Sequence, residues 1–312
     1  MITVALADSF TIGDFVATKN STIELSLYVN ADAAIKNKAV SIDIIPPAGY
    51  SFATRYDEDL EEDVPDVDFG VTIMMPGVNI KEDGTLRFGC AGCTIGKGTK
   101  LFATFKVNVE DNAENGAFTT AAGRIAGVAQ DAFSFQCDVL NNFNLNETIG
   151  YNTFSACAAV KVEGATVYYG KLNSDKTSVT LEEISDGIVP ANTGVILGKT
   201  PGAAVTLTPS ESEGTPVSSN ALIPSSEVEG SVLSLGIDAG KPIFGMHSGS
   251  IPANKAFIPW TGQQNVRINF GENSIESIEN DSNNIPTYNL MGQQVKTQKG
   301  IVIENGKTVY SK

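Results

Sequence analysis

The sequence predicts an all-β protein, with a two-layer sandwich at the N-terminus, a second β-rich domain and a C-terminal hairpin tail. Alternation of apolar and polar residues dominates the first 145 positions, regular turn signals break it into short runs, and helical periodicity is almost absent.

Taken in order, Ile23, Leu25, Leu27 and Val29 share one face of a strand, as do Val40, Ile42 and Ile44. Leu101, Ala103, Phe105, Val107 and Val109 form the clearest case, with Lys106, Asn108 and Glu110 on the water side. Successive side chains on a strand point to opposite faces, so each run has one face meant for a core. Pro46-Pro47-Ala48-Gly49, Asp83-Gly84 and Gly96-Lys97-Gly98 separate the runs as turns. Helical character is confined to Ala31 to Lys38. These elements assign residues 1–145 to the sandwich.

A second β domain, 146–271, opens near Ile149-Gly150-Tyr151-Asn152-Thr153-Phe154 and contains an internal echo. Val189-Pro190-Ala191-Asn192-Thr193-Gly194-Val195 recurs in form as Ile251-Pro252-Ala253-Asn254-Lys255-Ala256-Phe257. Proline fixes φ and the asparagine side chain bonds neighbouring backbone, so each copy predicts a sharp entry into a strand. Residues 272–284 are rich in Asn, Ser and Glu and read as a linker. Residues 285–312 form the tail, where Asn305-Gly306 between two β-prone runs predicts a type I′ hairpin over Ile301 to Tyr310.

Two stretches carry resemblances. Val40-Ser41-Ile42-Asp43-Ile44-Ile45-Pro46-Pro47-Ala48-Gly49, followed by Gly98-Thr99-Lys100-Leu101-Phe102-Ala103-Thr104-Phe105-Lys106-Val107, resembles the immunoglobulin-like sandwich of cohesins and carbohydrate-binding modules. Tyr288-Asn289-Leu290-Met291-Gly292-Gln293-Gln294-Val295 with Gly300-Ile301-Val302-Ile303-Glu304-Asn305-Gly306-Lys307 resembles a shortened type IX sorting tail of secreted or surface proteins of Bacteroides and Prevotella type bacteria. The Pro-Ala-Asn domain is similar to one found beside such tails. The first resemblance implies a binding module, the second an extracellular or outer-membrane surface address.

At 312 residues the chain can bury roughly three quarters of its unfolded surface. Its net charge of -15 repels a phosphate backbone, which argues against nucleic acid as a partner. The apolar runs fall far short of the roughly 20 residues that span a bilayer, so no transmembrane segment is expected. Met1 to Asp8 lacks a basic region and a full apolar core, so an export signal is expected to lie outside this sequence. Cys90, Cys93, Cys137 and Cys157 read as buried thiols or, in an oxidising compartment, as one or two disulfides.

Chemistry is sparse. The run Asp57 to Asp68 offers Asp57, Asp59, Asp63, Asp66 and Asp68 as hard oxygen ligands, so calcium is the one cofactor it suggests, although it lacks the spacing of a calcium loop and also reads as a plain acidic loop. Tyr168, Tyr169, Phe257 and Trp260 are candidates for stacking on a glycan, against the alternative that most of them are core. The single histidine, His247, sits in a Gly/Ser loop, and no Gly-x-Ser-x-Gly elbow accompanies it. The resulting expectation is a non-catalytic adhesion or binding protein of the cell surface, its partner a glycan or another surface protein. A protein–protein interaction or structural scaffold module of the cell envelope is the first alternative, and an accessory or catalytic glycoside hydrolase unit, which as a catalyst needs two carboxylates about 5 to 9.5 Å apart in a cleft, is the second.

Overall fold

The computed structural model describes residues 8–262, 264–269, 287–288, 294–295, 300–304 and 307–311. The chain divides into two units, Met1–Asn269 and Phe270–Lys312. Strands make up nearly all regular structure among the described residues, the exception being one 3-10 turn, Ser225–Glu227. The all-β class follows from the alternation that predicts it.

In the N-terminal sandwich, one sheet orders Ser9–Thr11, Ser21–Ala31 and Gly98–Val109, with Tyr50–Phe52 and Val67–Phe69 sharing the far edge of the last. The facing sheet runs Phe15–Thr18, Ser134–Leu140, Gly116–Ile125, Ile35–Ile45, Leu86–Ile95 and Val78–Ile80. The predicted inner faces are buried: Leu25, Leu27, Val29, Val40, Ile42, Ile44, Phe105, Val107 and Val109 all enter one core. A bulge between Leu101 and Ala103 departs from plain alternation, turning Phe102 inward and leaving Leu101 half-buried. Ala31 to Lys38 is not helical; it turns at Asp32 to Ala34 between two long strands.

Aromatic rings fill the core. Phe118 and Phe135 stack with centroids 5.0 Å apart, and Tyr50, Phe52 and Phe15 lean on Phe118 at 5.3 to 6.4 Å in tilted and edge-on contacts. Such rings bring large buried area and preferred geometries at once. Cys90 and Cys93 both face this core although three residues apart, because a second bulge, with Gly92 at φ 70°, restores the inward phase after Ala91.

The following module is a nine-stranded sheet ordered Tyr151–Phe154, Val195–Gly198, Thr166–Leu172, Ser178–Glu183, Val266–Asn269, Lys241–Met246, Val232–Asp238, Ala256–Pro259 and Ile223–Pro224. Its first strand returns toward its last but one, where Ser155 N–H donates to the Asn254 carbonyl at 3.2 Å, and a further four-stranded sheet orders Phe143–Asn144, Ala204–Pro209, Val160–Glu163 and Ile188–Val189. Both Pro-Ala-Asn segments are sharp turns into strands, with Asn192 and Asn254 at φ 51° and 54°. They converge on one segment, since Asn192 N–H donates to Ala156 C=O at 2.8 Å beside the Asn254 contact to Ser155. Sandwich residues Val16 and Leu140 join the second core, with Leu145, Phe154, Ala156 and Val160. Polar contacts reinforce that seam: the Asp138 carboxylate accepts from Cys157 N–H at 2.7 Å and Asn115 Nδ2 at 2.8 Å, and Asn115 Nδ2 also reaches Asn254 Oδ1 at 2.7 Å.

In the C-terminal unit, Gly300–Glu304 pairs antiparallel with Lys307–Ser311, Glu304 opposite Lys307, which is the register a two-residue turn imposes. Thr287–Tyr288 pairs antiparallel with Gln294–Val295 and, at Tyr288, with Ile303, while the Asn305-Gly306 turn, the linker over 272–284 and the other tail positions lie outside the described residues.

Candidate interaction surface

The acidic run is not an open loop. Tyr50–Phe52 and Val67–Phe69 are two halves of one edge strand on Gly98–Val109, and the residues between them are extruded from the sheet as a flap. Its base is closed by Ala53 N–H to Lys106 C=O and Asp66 N–H to Ala53 C=O, both 2.9 Å. Thr54–Asp57 then pairs with Glu62–Pro65. The tip is shaped by Asp57 Oδ1, which accepts from the N–H groups of Asp59 at 2.9 Å and Leu60 at 3.2 Å, and by Glu61 at φ 54°. An aspartate bonding backbone two and three residues on is an ordinary turn device.

From this edge the chain crosses to the facing sheet through Gly70 to Gly77, pinned by Thr94 N–H to Thr72 C=O and by paired Met75–Ala91 bonds, before Val78–Ile80 pairs with Leu86–Phe88. Asp43 anchors that side. Its carboxylate is 8% exposed and accepts from Lys81 Nζ at 2.6 Å, Arg87 Nε at 2.7 Å and Arg87 Nη2 at 2.9 Å. Burial pushes its pKa up, but the Arg87 and Lys81 bonds outweigh burial and hold it below the usual carboxylate range.

The flap and crossover carry four of the most exposed large apolar side chains: Tyr56 (63%), Leu60 (61%), Met74 (72%) and Met75 (65%). Tyrosine and methionine are enriched at interfaces, and exposed apolar side chains that group together mark contact surfaces where single ones do not. Around Tyr56 and Leu60 in the flap stand Asp57, Glu58, Asp59, Glu61, Glu62 and Asp63, and Asp57 lies directly opposite Glu62. Like charges directly opposite on paired strands are destabilising. The flap's one cation, Arg55, is committed elsewhere, to Asp68 at 2.9 Å and Asp66 at 3.5 Å; its pKa is raised, chiefly by the Asp68 bond.

Of the five aspartates suggested for calcium, Asp59 sits at the flap tip with its N–H on Asp57. Asp57 caps its own turn, Asp63 lies on the flap strand, Asp66 and Asp68 face Arg55, and Asp66 also takes Lys106 Nζ at 2.9 Å. Among the described residues no three His, Cys, Asp or Glu side chains gather as a metal group.

The four rings proposed for a glycan do not form an exposed strip. Phe257 (2%) and Trp260 (6%) are core residues, because the strand after the second Pro-Ala-Asn turn points them inward. Trp260 borders an open cleft of about 590 Å³ with Asp175 and Gln264, but its indole N–H is buried and unpartnered, and a Cβ added at Gly262 would meet it at 2.9 Å. Tyr168 and Tyr169 are half-buried on opposite faces of their strand. Tyr169 donates to Glu182, which also takes Lys171 Nζ at 2.9 Å, while Tyr168 and Tyr151 lie over Gly198, where a Cβ would meet the Tyr151 ring at 2.3 Å.

All four cysteines are free. Burial pushes the Cys93 thiol up to about 11 and the Cys137 thiol up to about 12. Cys157 is raised further by burial and then by Asp138, and its Sγ–H donates to the Phe15 carbonyl at 3.0 Å. Suppressed thiolate makes these structural groups rather than reactive ones. His247 packs edge-on to Phe257 at 5.3 Å, with Nε2 3.1 Å from the Ser250 carbonyl.

No protein-family model and no curated protein matches the sequence. Among solved structures, the chain is similar to a non-cellulosomal cohesin from the archaeon Archaeoglobus fulgidus (12% identity, 44% of this chain and 93% of that one, TM-score 0.31). It is also similar to the CaCohA2 protein of Clostridium acetobutylicum (14% identity, 42% and 90%, TM-score 0.31) and to the full-length major pilin SpaD of Corynebacterium diphtheriae (11% identity, 66% and 57%, TM-score 0.29). The fold assignment itself rests on the strand pairing described above. Among the described residues no helix is long and apolar enough to cross a membrane.

Proposed function

We propose that this protein is a non-catalytic adhesion module of the cell surface that works by protein–protein contact, with the flap and crossover edge of the sandwich as its contact surface. The observation that carries the reading is that four of the five most exposed large apolar side chains among the described residues, Tyr56, Leu60, Met74 and Met75, fall in the flap and the crossover that follows it, the fifth being Val128. Exposing four such side chains costs solubility and gains nothing within the chain; the gain comes when a partner covers them. A glycan partner has less support, because two of its four rings are core and the others are engaged with neighbours. The surface address rests on the resemblance of residues 285–312 to a sorting tail, and deleting those residues should release the protein from the surface.

A photo-crosslinking amino acid placed at Leu60 or Met75, with Glu24 as an exposed control on the same sheet, tests the contact reading on producing cells. Discrete crosslinked polypeptides from positions 60 and 75 and none from position 24 are expected. No product from either site, or the same products from all three, would overturn it.

A further inference from the structure

We propose that the occupant of this surface is a cationic amphipathic polypeptide segment, in which apolar side chains cover Tyr56, Leu60, Met74 and Met75 while basic ones meet the flap carboxylates. This rests on the contact reading above and narrows it to one class of partner.

Charge complementarity decides the class. Between Thr54 and Pro65 six carboxylates stand against the single guanidinium of Arg55, which Asp66 and Asp68 already occupy. The Asp57–Glu62 cross-strand pair is thus left with uncompensated repulsion that an incoming cation relieves. A second copy of the chain is a poor occupant, since it brings the same acids and a net charge of -15. An anionic lipid surface or a phosphate backbone is repelled for the same reason. Guarding the edge strand against pairing would require charges alone, and charges are the usual device for it. It does not account for Tyr56 and Leu60 held in water among them, nor for Met74 and Met75 exposed in the uncharged crossover that follows. Methionine adapts its shape to varied apolar partners, which suits Met74 and Met75 to a segment that is recognised by pattern.

The test uses the full chain, isotope-labelled, with three synthetic peptides of equal length: alternating lysine and leucine, alternating aspartate and leucine, and alternating lysine and serine. The lysine–leucine peptide should shift the backbone amides of residues 54–75 and of neighbouring 91–94, the aspartate–leucine peptide should not bind, and the lysine–serine peptide should bind at least tenfold more weakly. Half-molar salt should weaken the lysine–leucine complex at least tenfold, as expected for exposed charges beyond a screening length of a few ångströms. So should Leu60→Ser with Met75→Ser, which leave every acid in place, and Glu58→Gln with Asp59→Asn and Glu62→Gln, which leave every apolar group in place. Equal binding of the two lysine peptides would reduce the surface to plain ion attraction and overturn the proposal. Equal binding of the two leucine peptides, shifts spread over the whole surface, or binding to anionic vesicles in place of peptide would overturn it too. If the peptides fail while crosslinking at position 60 still captures a discrete polypeptide, the cationic class falls and the contact reading stands; if crosslinking fails as well, both fall.

Discussion

Asp43→Asn is the sharpest probe of how the crossover side of the sandwich is held. The carboxylate is 8% exposed and takes three charge-assisted bonds, but Arg87 is 47% and Lys81 30% exposed, so both cations return to water when it is neutralised. A hydrogen bond to a charged group is worth roughly 1.5–3 kcal/mol at full strength, and exposure of the partners discounts this heavily. The amide also keeps one acceptor, leaving a net loss of about 2 kcal/mol. For a unit of this size each kcal/mol moves Tm by roughly 2–4 °C, so the variant should melt roughly 4–8 °C lower at pH 7. The pH dependence has a fixed sign. Because the folded pKa of Asp43 is depressed, its stabilisation is present above the unfolded carboxylate value of about 3.9 and is lost as pH falls through the folded value. Calorimetry of both proteins from pH 7 down to about 2.5 should show the gap narrowing. A variant within 1 °C of the parent at pH 7, or a gap undiminished in acid, would refute the reasoning.

Gly198→Ala should destabilise by about 1–3 kcal/mol in denaturant titration, since its Cβ would overlap the Tyr151 ring and press on the Tyr168 ring, so both half-buried rings would have to shift. Phe257→Ala should cost about 3–5 kcal/mol as a core truncation, measured the same way, whereas a ring on a binding face would cost little. Thiol titration at pH 8 should find the four cysteines slow in the native protein and fast in denaturant, because burial holds Cys137 near 12 and Cys93 near 11. A chelator should leave Tm unchanged within 1 °C, because Asp66 and Asp68 already have Arg55 and Lys106 as counter-ions.

The sandwich was legible because alternation is a local signal: Leu25-Leu27-Val29 and Val40-Ile42-Ile44 each announce one buried face. The bulges that turn Phe102 and Cys93 inward were not, since they depend on strand pairing that no local window contains. The acidic run drew attention for its charge, yet its architecture depends on Gly98–Val109, a distant strand that pairs with residues on both sides of it and forces the run out as a flap. Leu60 and Tyr56 stood in plain view as the apolar residues of that run. Met74-Met75 before Pro76-Gly77 carried no signal beyond composition, and their exposure follows from where the crossover lies on Leu86–Ile95. Phe257 and Trp260 are core for a related reason: alternation fixes that they face some direction, but only the surrounding sheet makes that direction the core.

On the proposal above, the flap and crossover edge is where another protein holds this one. The most direct measurement is the affinity of a crosslink-identified partner for the chain carrying Tyr56→Ser, Leu60→Ser, Met74→Ser and Met75→Ser together, with Tm measured alongside. The account predicts binding weakened at least a hundredfold with Tm within about 2 °C of the parent, because all four side chains lie largely in water. Undiminished affinity in a folded variant would contradict it.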